Sequence, residues 1–499
     1  MGIVIRQSIK GSIVSYIGAV IGMVSTIFIY PYFLTPELIG LNRILIDSAF
    51  LFAFLAQIGI PNAIIRFTPQ LKQKGLIREA YRYALLLPLI SFVFFATLLF
   101  LGKDYLQGLF SENSPLFSKY FLFIIPLGLV CIYLGIIENF AVAYHRITIP
   151  KLIRDIILRF LLIASAILFF YLKLSIDLYV ILVIASYALA VVILFSYFKR
   201  LQRIMTAQEQ RKNIPKEIVR SVFPYMGFML LAGIGSNIVT KVDAFMISSM
   251  IGLGSTGIYT ISYFMTSIIE IPSKATIQIS APFISDSIEK EDMLRLKDLY
   301  IRYSLNQLII GGFLLLILWA NINSIFHLMP NGDIYSAGKF VVLFIGLAKL
   351  IDVTTGINSL ILVYSKYYRY MILFVMILGI ITVAGNIILI PVLGITGAAI
   401  ASLSSYFIIN AVIIWFIYSK LGIQPFTTKT LVLIVLISLS FLINFLLPTL
   451  DNWFLDSFYR SLILGGAFLG FAYAYKLSDD LNAIVLKMLG MIGLDRKKR

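Results

Sequence analysis

The feature that most constrains this chain is a succession of apolar runs, each near the roughly 20 residues needed to cross a bilayer as a helix. They sit near 11–33, 38–60, 82–102, 118–141, 150–172 and 177–198. After a polar break they resume near 221–250, 257–282, 302–322, 338–363, 369–390, 396–418, 429–448 and 458–476. Backbone groups in lipid must be satisfied within their own segment, so runs of this length predict helices. The expectation is an all-α polytopic membrane protein with about fourteen transmembrane helices. Composition agrees: 60% of the 499 residues are hydrophobic and only 13% charged, about half the charged share of soluble domains.

Charge between the runs gives the threading. With the N-terminus inside, Arg66, Lys72, Lys74, Arg78 and Arg82 share one cytoplasmic loop; Lys199, Arg200, Arg203, Arg211, Lys212, Lys216 and Arg220 share another. By this threading roughly 31 of the 41 basic residues are cytoplasmic, as the positive-inside rule requires. Both termini are then cytoplasmic, and the tail Asp495-Arg496-Lys497-Lys498-Arg499 is a membrane-surface contact. Arg6 and Lys10 precede a first run too long for a signal peptide, which predicts a retained first helix. The net charge of +17 follows from topology; the basic loops meet anionic lipid headgroups of the bilayer, and no nucleic-acid partner is implied. One cysteine, Cys131, and two histidines, His145 and His327, leave no ligand set for a metal. No cofactor is expected.

Ionisable residues inside the runs are expensive in lipid and point inward, to partners or to water. Around the turn Gly252–Gly257, the seventh run carries Lys241 and Asp243 and the eighth carries Glu270 and Lys274, neither pair near an expected helix end. At about 100° per residue, Thr256, Tyr259, Thr260, Tyr263, Thr266, Ser267, Glu270, Ser273 and Lys274 form one polar stripe. On the second run Arg43 and Asp47 are one turn apart. Arg159 lies on the fifth run, Lys349 and Asp352 on the tenth, and Glu138 near the end of the fourth. Five buried cations thus face five acids. Arg43 with Asp47, Lys349 with Asp352, and Arg159 with Asp155 also read as self-neutralised pairs that lock helices. Gly40 matches Gly257 at an offset of 217, and Ser186-Tyr187 matches Ser405-Tyr406 at 219. That near-constant offset points to two copies of a six-helix unit. The domain expectation is therefore 1–200 as an N-lobe, 201–220 as a basic linker, 221–420 as a C-lobe, and 421–499 as two extra helices with a tail.

The stretch Asn386-Ile387-Ile388-Leu389-Ile390-Pro391-Val392-Leu393-Gly394-Ile395-Thr396-Gly397-Ala398-Ala399-Ile400-Ala401-Ser402 resembles the eleventh-to-twelfth helix hairpin of polysaccharide flippases in the multidrug/oligosaccharidyl-lipid/polysaccharide (MOP) exporter superfamily. The first helix, polar and small (Ser12, Ser15, Tyr16, Gly22, Thr26, Tyr30), followed by Gly40 and Gly59-Ile60-Pro61-Asn62-Ala63, resembles the same family. The resemblance covers most of residues 8 to 420. It implies two six-helix lobes around a central cavity lined chiefly by helices 1, 2, 7 and 8, and turnover of polyprenyl-diphosphate-linked glycans. Arg43, Lys241, Lys274, Lys349 and Arg159 would then contact diphosphate and glycan. Asp47, Asp243, Glu270 and Asp352 would be candidates for coupling to H+ or Na+. Fourteen-helix members use their last pair as a groove for the lipid tail. Peptidoglycan-precursor flippases of the superfamily carry arginines on the first helix; here Ser12–Tyr30 has none, which argues against that substrate.

The resulting expectation is a non-enzymatic flippase of the inner (cytoplasmic) membrane, alongside other polysaccharide-assembly membrane proteins, carrying an O-antigen or polysaccharide repeat unit outward by alternating access. Two rivals are an ion-coupled drug or metabolite antiporter of the superfamily, and an integral-membrane polymerase or ligase. The second would place reactive groups in a long external loop, and Lys103, Asp104, Glu112, His327 and Asp333 form no acid/base pair at useful spacing.

Overall fold

A computed structural model describes residues 2–205 and 214–483. Arg211 and Lys212 of the basic linker, and the basic tail, lie outside the described residues, as does the side chain of Arg6. Every regular element among the described residues is helical. Among the described residues, ten helical stretches are long and apolar enough to cross a membrane. They take up eleven of the expected runs, because Tyr370–Leu421 is two helices merged across a kink at Gly394, whose φ of 60° and ψ of −139° are non-helical. The other three runs are helical too. A π turn at Ile153–Ile157 interrupts one and a 3-10 turn at Thr266–Ile269 another, while Trp453–Ala474 opens with Asp456 and Arg460 in its first turns.

Two expectations need correcting. The basic stretch after the second span is not a loop but the helix Ile60–Gln73, entered through a left-handed Gly59 with Pro61 at its start. Its apolar side buries Ile64, Phe67 and Leu71 against neighbouring helices, among them Ile124–Ala143, while Arg66 and Lys72 stay outside, the pattern of an amphipathic helix packed on a core. The run 221–250 is likewise not one helix. It is Lys216–Val239 and Val242–Met250, and the residue between them that opens the second, Lys241, has left helical geometry at φ −122°, ψ −14°. Lys241 and Asp243 therefore do sit at a helix end.

The chain divides into two compact units, Met1–Thr260 and Ile261–Arg499. In the first, the Pro36–Ala56 helix packs along Ile124–Ala143 through Leu41, Ile44, Ile132, Ile136 and Ile137, all essentially inaccessible. Its start also crosses the Leu253–Met265 helix at backbone distance. A Cβ on Gly40 would stand 2.0 Å from the Leu253 carbonyl oxygen, and one on Gly257 2.0 Å from the Pro36 carbonyl oxygen. The two glycines paired by the sequence offset thus face the same crossing. Beside it, the Ser114 hydroxyl donates to the Ser248 carbonyl at 2.6 Å and Asn113 to the Ser249 carbonyl at 2.8 Å. Because the obstructing atoms are backbone, Gly40→Ala is expected to lower stability by about 1–3 kcal/mol through overpacking. An unchanged thermal midpoint in detergent would mean the crossing is looser than this.

In the second unit, Met293–Ala320 is the centre, flanked by Lys339–Thr354, Thr428–Leu446 and Trp453–Ala474. Leu308, Leu315, Leu316, Leu433, Ile437, Leu464 and Phe468 form its core. Arg460 ties the last two helices: it pairs with Asp456 at 2.9 Å and donates to the carbonyls of Asn444, Leu447 and Pro448, satisfying groups that the end of a helix leaves open.

Candidate functional site: two cation triads

Asp47 is held from both sides. Arg43, one turn earlier on the same helix, reaches it at 2.5 Å, and Lys241 reaches its other carboxylate oxygen at 3.0 Å. The Lys241 ammonium also lies 3.4 Å from the Asp47 carbonyl and 5.3 Å from the centre of the Phe50 ring. This geometry depends on the break after Val239, since Lys241 occupies the turn and not the flank of a continuous helix. All three side chains are mostly withdrawn from solvent. The triad carries two positive charges and one negative.

The second unit repeats the arrangement with different residues. Glu270 opens the helix that follows the 3-10 turn, and takes Lys274 from its own helix and Lys349 from Lys339–Thr354, each at 3.0 Å. Lys349 is 8% exposed, lies 3.9 Å from the Tyr263 ring centre and donates to the Tyr263 carbonyl. Lys274 differs: its side chain is 70% exposed. One cation is thus locked in place and the other only tethered. Again two positive charges meet one negative.

The remaining candidates resolve into other pairings. Lys349 bonds Glu270 and not Asp352, although Asp352 is three residues along its own helix. Asp352 borders a cavity of about 200 Å³ shared with Ser273, Asn358 and Asn410. Asn410 in turn accepts from Thr355 at 2.6 Å, and Asn358 accepts from Tyr300. Asp243 accepts from the Tyr259 hydroxyl at 2.7 Å. Asp155 pairs with Arg154 at 3.0 Å, and Arg154 also holds Glu138 at 2.8 Å, so the expected Arg159–Asp155 lock is replaced by one through Arg154. Arg159 lies instead along the first helix, its guanidinium filling the space that a Cβ on Gly22 would need.

Sequence reasoning missed Arg154 as the partner of Glu138 and Tyr259 as the partner of Asp243, because each lies on a different helix from the acid it serves. One signal was present: Gly18 and Gly22, four apart, clear one face of the first helix for Asp155 and Arg159, in the way small residues admit close neighbours. The five-against-five charge balance also regroups. Glu138 is spent on Arg154 and Asp243 on a tyrosine, which leaves each triad with one more cation than acid.

Residues 5–287, more than half the chain, match the family model described as polysaccharide biosynthesis protein. The chain belongs to this family. No curated protein matches it in sequence. Solved structures share the fold of this chain at low identity. The lipid II flippase MurJ, in an inward closed conformation, is 15% identical with a TM-score of 0.66, over 94% of this chain and 99% of that one. An inward-facing multidrug resistance MATE transporter of the MOP superfamily is 14% identical at 0.62, over 82% and 98%. A MOP superfamily transporter from Pyrococcus furiosus is 14% identical at 0.53, over 84% and 95%. The chain thus has the fold of these multi-pass membrane transporters of the MOP superfamily.

Proposed function

We propose that the protein moves a polyprenyl-diphosphate-linked oligosaccharide, such as an O-antigen or polysaccharide repeat unit, from the cytoplasmic to the outer leaflet by alternating access. The observation that carries the reading is the surplus cation of each triad. A diphosphate is the one strongly anionic part of such a substrate, and ammonium or guanidinium groups already withdrawn from water bind phosphate oxygens with charge-assisted hydrogen bonds. Arg43 and Lys241 would take it at one triad, Lys274 and Lys349 at the other, with Arg159 beside the first helix as a further cation. The functional division is 1–200, the linker 201–220, 221–420, and 421–499 with the added helices. The membrane is the inner one, with both termini cytoplasmic, and other polysaccharide-assembly membrane proteins are the partners. Transport needs no bond made or broken, so the protein is not an enzyme in this reading. Membership of a polysaccharide biosynthesis family favours this substrate class over a drug antiporter.

Asp352 favours ion coupling as an added element: a carboxylate inside a helix bundle, beside Asn410 and Asn358 and bordering a cavity, has the oxygen ligands that H+ or Na+ requires. Asp47, Asp243 and Glu270 are less available for that role, being engaged with Lys241, Tyr259 and Lys349.

Depleting the protein tests the substrate. Lipid-linked repeat units are expected to accumulate on the cytoplasmic leaflet while their synthesis continues, read by protecting them from an external glycan-modifying enzyme until the cells are opened. Normal delivery to the outer leaflet, with no second flippase present, would overturn the proposal.

A further inference from the structure

The Ile77–Leu101 helix is the most outward-facing of the long spans in the first unit apart from Lys216–Val239, with 11% of its apolar window buried. Its side chains Ile90, Val93 and Phe94 are 71%, 61% and 58% exposed, as suits a surface wetted by acyl chains. Just above this apolar strip, toward the start of the helix, lies a polar cavity of about 650 Å³ bordered by Arg78, Glu79, Arg82, Leu85 and Leu86, with Gln202 across from them. The facing wall is fixed by aromatic packing: the Tyr81 ring lies 4.9 Å from Phe198 and 5.2 Å from Phe140. Lys199, Arg200 and Arg203 surround Gln202 on the outer surface of the same helix end.

We infer that this cavity binds the headgroup of an anionic phospholipid, its phosphate against Arg78 and Arg82 and its acyl chains along Leu86, Ile90, Val93 and Phe94. The volume falls in the range of small-molecule sites. Two arginines against one glutamate leave the lining positive, and guanidinium groups suit the planar, two-pronged recognition of phosphate. The order of features matches a phospholipid, with charge at the interface level and an apolar strip continuing into the lipid-facing side of the helix. The transported glycan needs an enclosed route, which an outward-facing surface does not offer. This separates the site from the triads. That the lipid comes from the cytoplasmic leaflet rests on the threading proposed above; the preference for an anionic headgroup does not.

Purified full-length protein, delipidated and exchanged into micelles containing phosphatidylglycerol and phosphatidylcholine at equal amounts, is the test. Native mass spectrometry is expected to find phosphatidylglycerol retained at least roughly fivefold over phosphatidylcholine, the effect of one basic residue near a charged membrane surface. Arg78→Gln with Arg82→Gln should bring the two lipids level, while Lys103→Gln with Lys339→Gln, at the expected opposite membrane face, should leave the preference intact. A second reading does not depend on the arginine variants folding: with Leu86→Trp as reporter, dibrominated phosphatidylglycerol should quench the added fluorescence more than dibrominated phosphatidylcholine. Equal retention by the unaltered protein, equal quenching, or a preference that survives loss of both arginines would overturn the inference. Neither measurement involves glycan transport, so failure here leaves the transport reading untouched.

Discussion

Transport by a Lys274→Gln variant is expected to fall by roughly tenfold or more, the worth of one hydrogen bond to a charged group, while its thermal midpoint stays in place. The asymmetry of the second triad gives both halves of this result. Lys274 is 70% exposed, and removing an exposed partner changes stability by only about 0.5 kcal/mol or less. Glu270 keeps Lys349 at 3.0 Å, so no charge is orphaned. Lys274→Arg keeps the charge and should retain partial activity. Removing Glu270 together with Lys274 is no rescue, because it takes from Lys349, which is 8% exposed, the carboxylate that balances its charge. Transport into vesicles at matched expression, beside a melting curve, reads both quantities. Full activity in Lys274→Gln would remove Lys274 from the substrate path; a lowered midpoint would make its role structural.

Asp47→Asn is expected to act in the opposite way, costing about 3–5 kcal/mol of stability, the usual penalty when one side of a buried ion pair is removed. Here the loss is aggravated because one acid serves two cations, Arg43 at 2.5 Å and Lys241 at 3.0 Å. Adding Lys241→Gln to Asp47→Asn relieves the repulsion and should recover part of the loss, a coupling that a double-mutant cycle isolates. The measurement is a denaturant titration in detergent, with the fraction of monodisperse protein as a second readout. A midpoint shared by Asp47→Asn and the unaltered protein would mean that the carboxylate is not what holds the two cations.

Helical class, membrane residence and most span positions were legible because they follow from local pattern: runs such as 82–102 or 302–322 need no partner to declare themselves. Which charges meet was not legible in the same way. Arg43 with Asp47 and Lys274 with Glu270 are four residues apart, and spacing along one helix gave the first pair directly. Lys349 with Glu270 and Lys241 with Asp47 cross between helices 79 and 194 residues away in sequence, where no periodicity reaches. The break at Thr240–Lys241 was also hidden, since neither glycine nor proline marks it. Pro224 lies inside the preceding helix without ending it, so proline content misleads at the one place and is silent at the other. The helix Ile60–Gln73 does not show in a count of charges, which reads as a loop; only the spacing of Ile64, Phe67 and Leu71 reveals it.

The interruption at Lys241 has a mechanical consequence. There the amide of Lys241 bonds the Ile238 carbonyl, three residues back, and the regular ladder resumes only with Phe245 to Lys241. Flexing an intact helix at mid-length means breaking bonds that are already made, whereas at this break those bonds are already absent, so bending there would cost less. The residue at the break is itself a cation held by Asp47. A change at the Lys241–Asp47 contact therefore acts where Lys216–Val239 and Val242–Met250 meet and not along the flank of either helix.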